Sequence, residues 1–163
     1  MNIAGLLKSV NLEKVRLNVG IASLEIEFSD ADKNAAWELY IEMLTRIVTQ
    51  PLSDEVGDEK TALNSVYSLF PTVREILRRQ GREAVQFTKI AIPVLNQVVR
   101  PFTAKWHKGS LSGAFDDPEE QKRFRQELDA LQVDLRNYNR LLAKIAEVED
   151  LTELENIKED SDG

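Results

Sequence analysis

The sequence contains no cysteine, a single histidine and few glycines or prolines. Without cysteine, disulfides, thiolate nucleophiles, zinc–thiolate sites and iron–sulfur clusters are excluded. A single histidine also excludes the usual di-iron centre of a helix bundle, which takes a Glu-x-x-His motif from each of two helices. With seven glycines, five prolines and 42% hydrophobic residues in 163 positions, the composition is that of one globular domain with its own core.

The sequence also lacks a long apolar run. The longest one, residues 90–95, is far shorter than the roughly 20 residues of a membrane-spanning helix. The first 14 residues do not show the basic stretch and apolar run of a signal peptide. We therefore expect a cytoplasmic protein without a signal peptide or membrane span. Phosphate-loop, dinucleotide-binding and G-x-S-x-G motifs are missing too, which argues against those enzyme classes.

The formal net charge of −7 is concentrated near the C-terminus. Residues 147–163 hold eight of the 28 acidic residues and one of the 21 basic ones, so residues 1–146 are neutral. Acidic segments of this kind are usually solvated and mobile. We expect a single helical domain over residues 1–148 and a mobile acidic tail over residues 149–163. The tail disfavours nucleic acid as a partner because it repels phosphates.

Four segments show the apolar periodicity of amphipathic helices. They cover residues 32–50, 59–80, 83–107 and about 30 residues from 118 onward. Pro71 interrupts the second segment, and Pro93 and Pro101 interrupt the third, so both helices should be kinked or split. The fourth begins at Asp117-Pro118, a good N-cap and first helical residue. With short loops, these helices favour a mainly α fold, an antiparallel four-helix bundle over residues 30–148.

The first of these helices has two neighbouring apolar stripes, which makes its apolar face unusually wide. The stripes are Ala36, Tyr40, Met43, Ile47 and Trp37, Ile41, Leu44, Val48. More than one neighbour is needed to cover such a face. We assign Trp37 and Trp106 to the core, near opposite ends of the bundle. Glu38 and Glu42 are placed on an exposed face rather than in a metal site, because acids are rarely buried without a partner.

Residues 1–29 alternate between apolar and polar positions in place of a helical period. The alternating residues are Val15, Leu17, Val19, Ile21 and then, out of phase, Leu24, Ile26, Phe28. This pattern predicts a short N-terminal β-strand with a bulge, or a hairpin, and residues 3–10 could add a short helix. Because two strands are marginal alone, the segment should pack on the first helix or pair with a second chain.

One stretch of the third helix combines an arginine with the chain's only histidine. Arg100 and His107 have six residues between them, and this R-x6-H pattern resembles the motif of HEPN-domain ribonucleases, four-helix bundles that usually dimerise. The resemblance implies metal-independent RNA cleavage, in which His107 transfers a proton and Arg100 holds the phosphate. In the alternative interpretation, the two residues flank a core-facing stripe of Val99, Phe102 and Trp106 at its solvent boundary.

Two longer stretches are similar to small uncharacterised bacterial proteins associated with antiphage defence or conflict loci. They are AAWELYIEMLTRIVTQPL, residues 35–52, and RPFTAKWH, residues 100–107. This similarity implies an accessory, adaptor or effector module that works beside another protein.

We therefore predict a non-enzymatic protein–protein interaction module that needs no metal or cofactor. It would bind a protein partner or itself, as a homodimer formed through the N-terminal segment or the fourth helix. The alternative is a HEPN-like ribonuclease that uses Arg100 and His107. The basic residues fall into two groups at opposite ends of the predicted bundle, so nucleic-acid binding is expected only under that alternative.

Overall fold

Helices account for most of residues 1–155, the part of the chain that the computed structural model describes. In order they are α1 (Ile3–Ser9), α2 (Val19–Ala22), α3 (Asp30–Leu44), α4 (Glu59–Tyr67), α5 (Leu69–Gln80), α6 (Val85–Val94), α7 (Arg100–Leu111) and α8 (Pro118–Ala146). A π-helical turn, Leu95–Val99, joins α6 to α7, and a 3₁₀ turn, Ala114–Asp116, precedes α8. The mainly α class is confirmed. Within these residues, no helix has both the length and the hydropathy that crossing a membrane requires.

Side chains fix both ends of α3. At its start, Ser29 and Asp32 form a reciprocal capping box, in which each side chain accepts a hydrogen bond from the other's backbone N–H. The helix ends at Leu44, six residues before the predicted end. The side chains of Thr49 and Gln50 fold back and donate to carbonyls of the last turn, at 2.5 and 2.9 Å. These bonds stop the helix although its apolar period continues.

The prolines act differently in the two helices that contain them. The second predicted helix is split at Ser68, which separates α4 from α5. Pro71 then lies in the first turn of α5, where a missing N–H is tolerated. In the third predicted helix, Pro93 lies near the end of α6 and Pro101 near the start of α7, and the π-helical turn connects them without a break.

Helix α8 lies within the body of the protein and runs antiparallel to α3. Lys33 pairs with Glu147 at one end of the two helices, at 3.0 Å. Just beyond the other end of α3, two carbonyls accept hydrogen bonds from the amide of Gln132, midway along α8, at 2.6 and 2.7 Å. Buried residues occur along α8 from Phe124 to Ile145. The helix therefore has no long free end for a coiled-coil partner.

The predicted N-terminal strand or hairpin is not formed. Residues 1–155 contain no strand, and the nearest approach to one is an isolated bridge between Asn2 and Glu25. Four of the seven alternating residues pack on the core, with Val15 buried and Leu17, Ile26 and Phe28 partly buried, and the other three are exposed. The amide of Gln97 takes the place of a neighbouring strand, since it bonds both the N–H and the carbonyl of Arg16 at 2.7 Å. The backbone of Arg16 therefore needs no neighbouring strand to supply its hydrogen bonds.

The first part of the predicted acidic tail, residues 149–155, packs against α3 and α8. Thr152 is buried and its hydroxyl accepts a hydrogen bond from Asn139 at 3.2 Å. Arg140 of α8 pairs with Glu153. These contacts hold the segment in place, and the rest of the predicted tail, residues 156–163, lies outside the described residues.

Candidate functional site

The structure places Arg100 and His107 on the same side of α7, facing the junction of α4 and α5. The Arg100 guanidinium lies 4.6 Å from the ring centroid of Phe70, and its Nε donates to Asn96 at 3.1 Å. The His107 ring lies edge-on to Tyr67, with centroids 5.1 Å apart. Tyr67 and Phe70 contact each other at 5.6 Å, so the two aromatic rings separate the arginine from the histidine.

This arrangement leaves His107 accessible but without an orienting partner. Seven residues of helix place the two backbone positions about 10 Å apart. Arg100 is exposed and His107 half-buried, and the histidine ring makes no hydrogen bond to any other described residue. A general base is normally oriented by a second polar group, and none contacts the ring among residues 1–155. The geometry therefore provides a cation, an aromatic face and a free imidazole on one side of a helix.

The two glutamates of α3 are engaged in ion pairs. Glu38 accepts hydrogen bonds from Arg79 and Gln80 of α5, and the bond from Arg79 is the main reason why the pKa of Glu38 lies below its usual value. Glu42 pairs with Arg46 one turn later. Among the described residues, no group of three or more histidine, aspartate or glutamate side chains could hold a metal ion.

A small apolar pocket lies between α1 and the chain that follows it. We call it the N-terminal pocket; its volume is about 240 Å³ and it is lined by Ala4, Leu7, Lys8, Glu13, Val15, Leu17 and Ala22. Two neighbours of Ala22 point outward, Val19 with 83% and Leu24 with 47% of its surface exposed. Large apolar side chains beside an apolar pocket are typical of a contact surface.

A second exposed apolar feature lies on the outer face of α3. Trp37 and Ile41, which we call the α3 ridge, are 43% and 42% exposed. The other tryptophan, Trp106, is only 1% exposed and its indole N–H donates to Glu127 at 2.9 Å. The prediction of a core position is thus confirmed for Trp106 and wrong for Trp37. Within the chain, the neighbouring helices cover Ala36, Tyr40 and Met43 of one predicted stripe and leave Trp37 and Ile41 of the other exposed.

Arg100, His107 and the N-terminal segment were candidates from the sequence, whereas the N-terminal pocket itself and the α3 ridge were not predicted. The N-terminal pocket could not be found because its lining comes from a segment that was expected to form strands. The α3 ridge did give a signal, since an apolar face wider than one neighbour can cover was visible in the sequence. No family model, curated protein or solved structure matches the chain.

Proposed function

We propose that this protein is a non-enzymatic interaction module that self-associates through its N-terminal pocket. The observation that carries the proposal is the exposure of Val19 and Leu24 beside a pocket of about 240 Å³ lined mainly by aliphatic side chains. Because each buried square ångström of apolar surface contributes roughly 25 cal/mol, covering these side chains favours association. The pocket is large enough for one aliphatic side chain of a second copy, given that a water molecule occupies about 30 Å³.

The charges at the pocket fit a second copy of the same chain. Lys8 and Glu13 line the pocket, and neither makes an ion pair with another described residue. In a two-fold symmetric contact, any residue pair formed in one direction is also formed in the other. Lys8 of each copy can therefore face Glu13 of the other, so that both charges are paired at once.

The scaffold in this proposal is the predicted antiparallel four-helix bundle. It is supported by the opposite directions of α3 and α8, and by α5 running back along α3. Arg79 of α5 meets Glu38, midway along α3, and the earlier residue Thr72 meets Arg46, just beyond the end of α3. The similarity of residues 35–52 and 100–107 to proteins of bacterial defence or conflict systems suggests the setting: an accessory role beside another protein.

Light scattering on the full chain tests the self-association. We expect a mass of about 37 kDa, twice the 18.5 kDa of one chain, at micromolar concentration. Replacing Val19 and Leu24 by aspartate should give a monomer. Val56→Asp is the matched control, because Val56 is 87% exposed in the segment between α3 and α4, which bonds to Arg125 of α8 and not to the residues of the pocket. A wild-type monomer at high micromolar concentration would contradict the proposal.

A second candidate function, metal-independent RNA cleavage, is favoured by one specific observation. Arg100 contacts Phe70 and His107 contacts the neighbouring ring of Tyr67, which is 45% exposed. Arg100 could hold a phosphate while a base stacks on Tyr67, and His107 could move the proton of the attacking 2′-hydroxyl. A dimer would bring two such sets into one particle.

The cleavage of single-stranded RNA separates this candidate from the first. If the protein is a ribonuclease, the wild type cleaves RNA without added metal, and His107→Ala lowers the cleavage rate by about 100-fold or more. Lys108→Ala, which changes the next, exposed residue, serves as the control and should retain most of the activity. If cleavage is absent, or is the same with and without His107, the ribonuclease candidate is rejected and the interaction module is the remaining proposal.

A further inference from the structure

Part of the outer stripe of α3 remains exposed after the chain has folded. The sequence shows two adjacent apolar stripes over residues 36–48, and Ala36, Tyr40 and Met43 of the inner one are at most 1% exposed. In the outer stripe, Trp37 and Ile41 keep more than two-fifths of their surface exposed. Burying such side chains is favourable, so this surface is suited to an external partner.

Two hollows flank the α3 ridge. On one side, a groove of about 620 Å³ between α3 and α5 is lined by Ile41 and Ile76. Beyond the end of α3, a hollow of about 410 Å³ is lined by Leu44, Leu151 and Leu154. Trp37, Ile41 and Leu44 have the i, i+4, i+7 spacing by which one helix contacts another. The shape therefore fits a helix lying along α3.

The charge around the ridge decides which kind of helix fits. Apart from the buried Asp32, the acids on α3, on α5 beside the groove and on residues 147–155 are Asp30, Glu38, Glu42, Glu75, Glu147, Glu149, Asp150, Glu153 and Glu155. The basic residues paired with some of them are Lys33, Arg46, Arg78, Arg79 and Arg140. With the exposed Arg74 of α5 counted as well, nine acids stand against six bases, which makes this face negative. A second copy would bring negative charge against negative charge, whereas a basic helix is attracted.

We propose that the α3 ridge binds an amphipathic helix rich in lysine and arginine that belongs to a different protein. The apolar side of that helix packs on Trp37 and Ile41, and its cations face the carboxylates on either side. The proposal rests on the proposed function as an interaction module. It concerns a separate surface, since the residues of the N-terminal pocket and those of the ridge do not overlap.

Fluorescence anisotropy with two designed peptides tests the proposal on the full chain. The probe is a labelled amphipathic helix of about 18 leucine and lysine residues, long enough to be helical, and its counterpart has glutamate for every lysine. We expect the lysine peptide to bind, with weaker binding at high salt, and the glutamate peptide not to bind. Changing both Trp37 and Ile41 to alanine should weaken binding about tenfold or more, while Val133→Ala leaves it unchanged.

Tryptophan emission then locates the contact. Trp37 and Trp106 are the two tryptophans of the chain, and Trp106 is buried. Binding at the ridge should shift the emission to shorter wavelength in the wild type but not in Trp37→Phe. Equal affinity for both peptides, or an affinity that the Trp37/Ile41 variant keeps while circular dichroism shows it folded, would overturn the proposal. Light scattering of the same variant should still give the dimer, so failure here is distinguishable from failure of the proposed function.

Discussion

The hydroxyl of Tyr40 accepts a hydrogen bond from the backbone N–H of Leu151 at 2.7 Å and donates one to the carbonyl of Glu149 at 3.2 Å. The ring itself is buried beneath α3 and stacks on Trp37, with centroids 5.9 Å apart. A core tyrosine thus holds the start of residues 149–155 against α3, the helix that carries the α3 ridge. Together with the contacts of Thr152 and Arg140, this phenol holds residues 149–151 and their carboxylates beside α3.

Tyr40→Phe should loosen the C-terminal segment while preserving the core. The loss of two hydrogen bonds costs about 1–2 kcal/mol, since a partly buried N–H and a carbonyl lose their partner. We expect a lower free energy of unfolding and faster amide hydrogen exchange at residues 149–152, with little change in α8. Unchanged exchange at these residues would show that Tyr40 does not hold the segment.

Tyr138→Phe is the matched control, and for this variant we expect no loss of stability. The Tyr138 hydroxyl is buried, burial raises the pKa of its phenol far above the ordinary range, and no group among residues 1–155 bonds to it. Removing a hydroxyl that lacks a protein partner should leave the stability unchanged or raise it by up to about 1 kcal/mol. Urea unfolding of the two variants in parallel makes the comparison. A loss with Tyr138→Phe as large as with Tyr40→Phe would contradict this account.

Asp32→Ala should be among the most damaging changes of a charged residue. The carboxylate is 1% exposed and accepts hydrogen bonds from Ser29 and, at 2.8 Å, from the N–H of Phe87 in the first turn of α6. One side chain therefore caps two helices. We expect a loss of about 2–4 kcal/mol in the free energy of unfolding, because both helix starts lose an acceptor. The exposed neighbour Asp30, changed to alanine, should cost much less.

Glu38 should contribute to the acid sensitivity of the fold. The hydrogen bond from Arg79 lowers the pKa of Glu38, so the folded state holds its proton less tightly than the unfolded state does. The resulting stabilisation is present above the pKa of the unfolded chain and is lost as the pH falls through the pKa of the folded one. In Glu38→Gln, the thermal midpoint should therefore depend less on pH between about 2 and 5.

The exposed Glu55, which makes no ion pair with a described residue, provides the control for this measurement. Glu55→Gln should follow the wild-type curve of thermal midpoint against pH. If Glu38→Gln follows it as well, the ion pair between Glu38 and Arg79 does not contribute to stability.

The helices could be predicted from sequence where local signals agree with packing. Asp117-Pro118 gives the start of α8 because an N-cap acid and a first-turn proline are local features. The end of α3 could not be predicted, because the side chains of Thr49 and Gln50 terminate it by folding back. The strand prediction failed for a similar reason, since the side chain of Gln97, distant in sequence, satisfies the backbone of Arg16.

The candidate surfaces were less visible in the sequence than the helices. A helical spacing of seven residues places Arg100 and His107 on one side of α7, and the structure agrees. The spacing does not reveal that Tyr67 and Phe70 lie between Arg100 and His107, because their position depends on where α4 ends and α5 begins. The apolar period of α3 likewise cannot say which of its two stripes the chain will cover, since that is decided by the positions of α5 and α8.

The most direct test of the central claim is sedimentation equilibrium of the wild type and three charge-reversal variants at the N-terminal pocket. Lys8→Glu and Glu13→Lys each place like charges opposite one another in the symmetric contact, so each should be monomeric. The double variant restores opposite charges and should return to a dimer of about 37 kDa, like the wild type. If all four proteins have the mass of a single chain, or if all four are equally dimeric, self-association through the N-terminal pocket is contradicted.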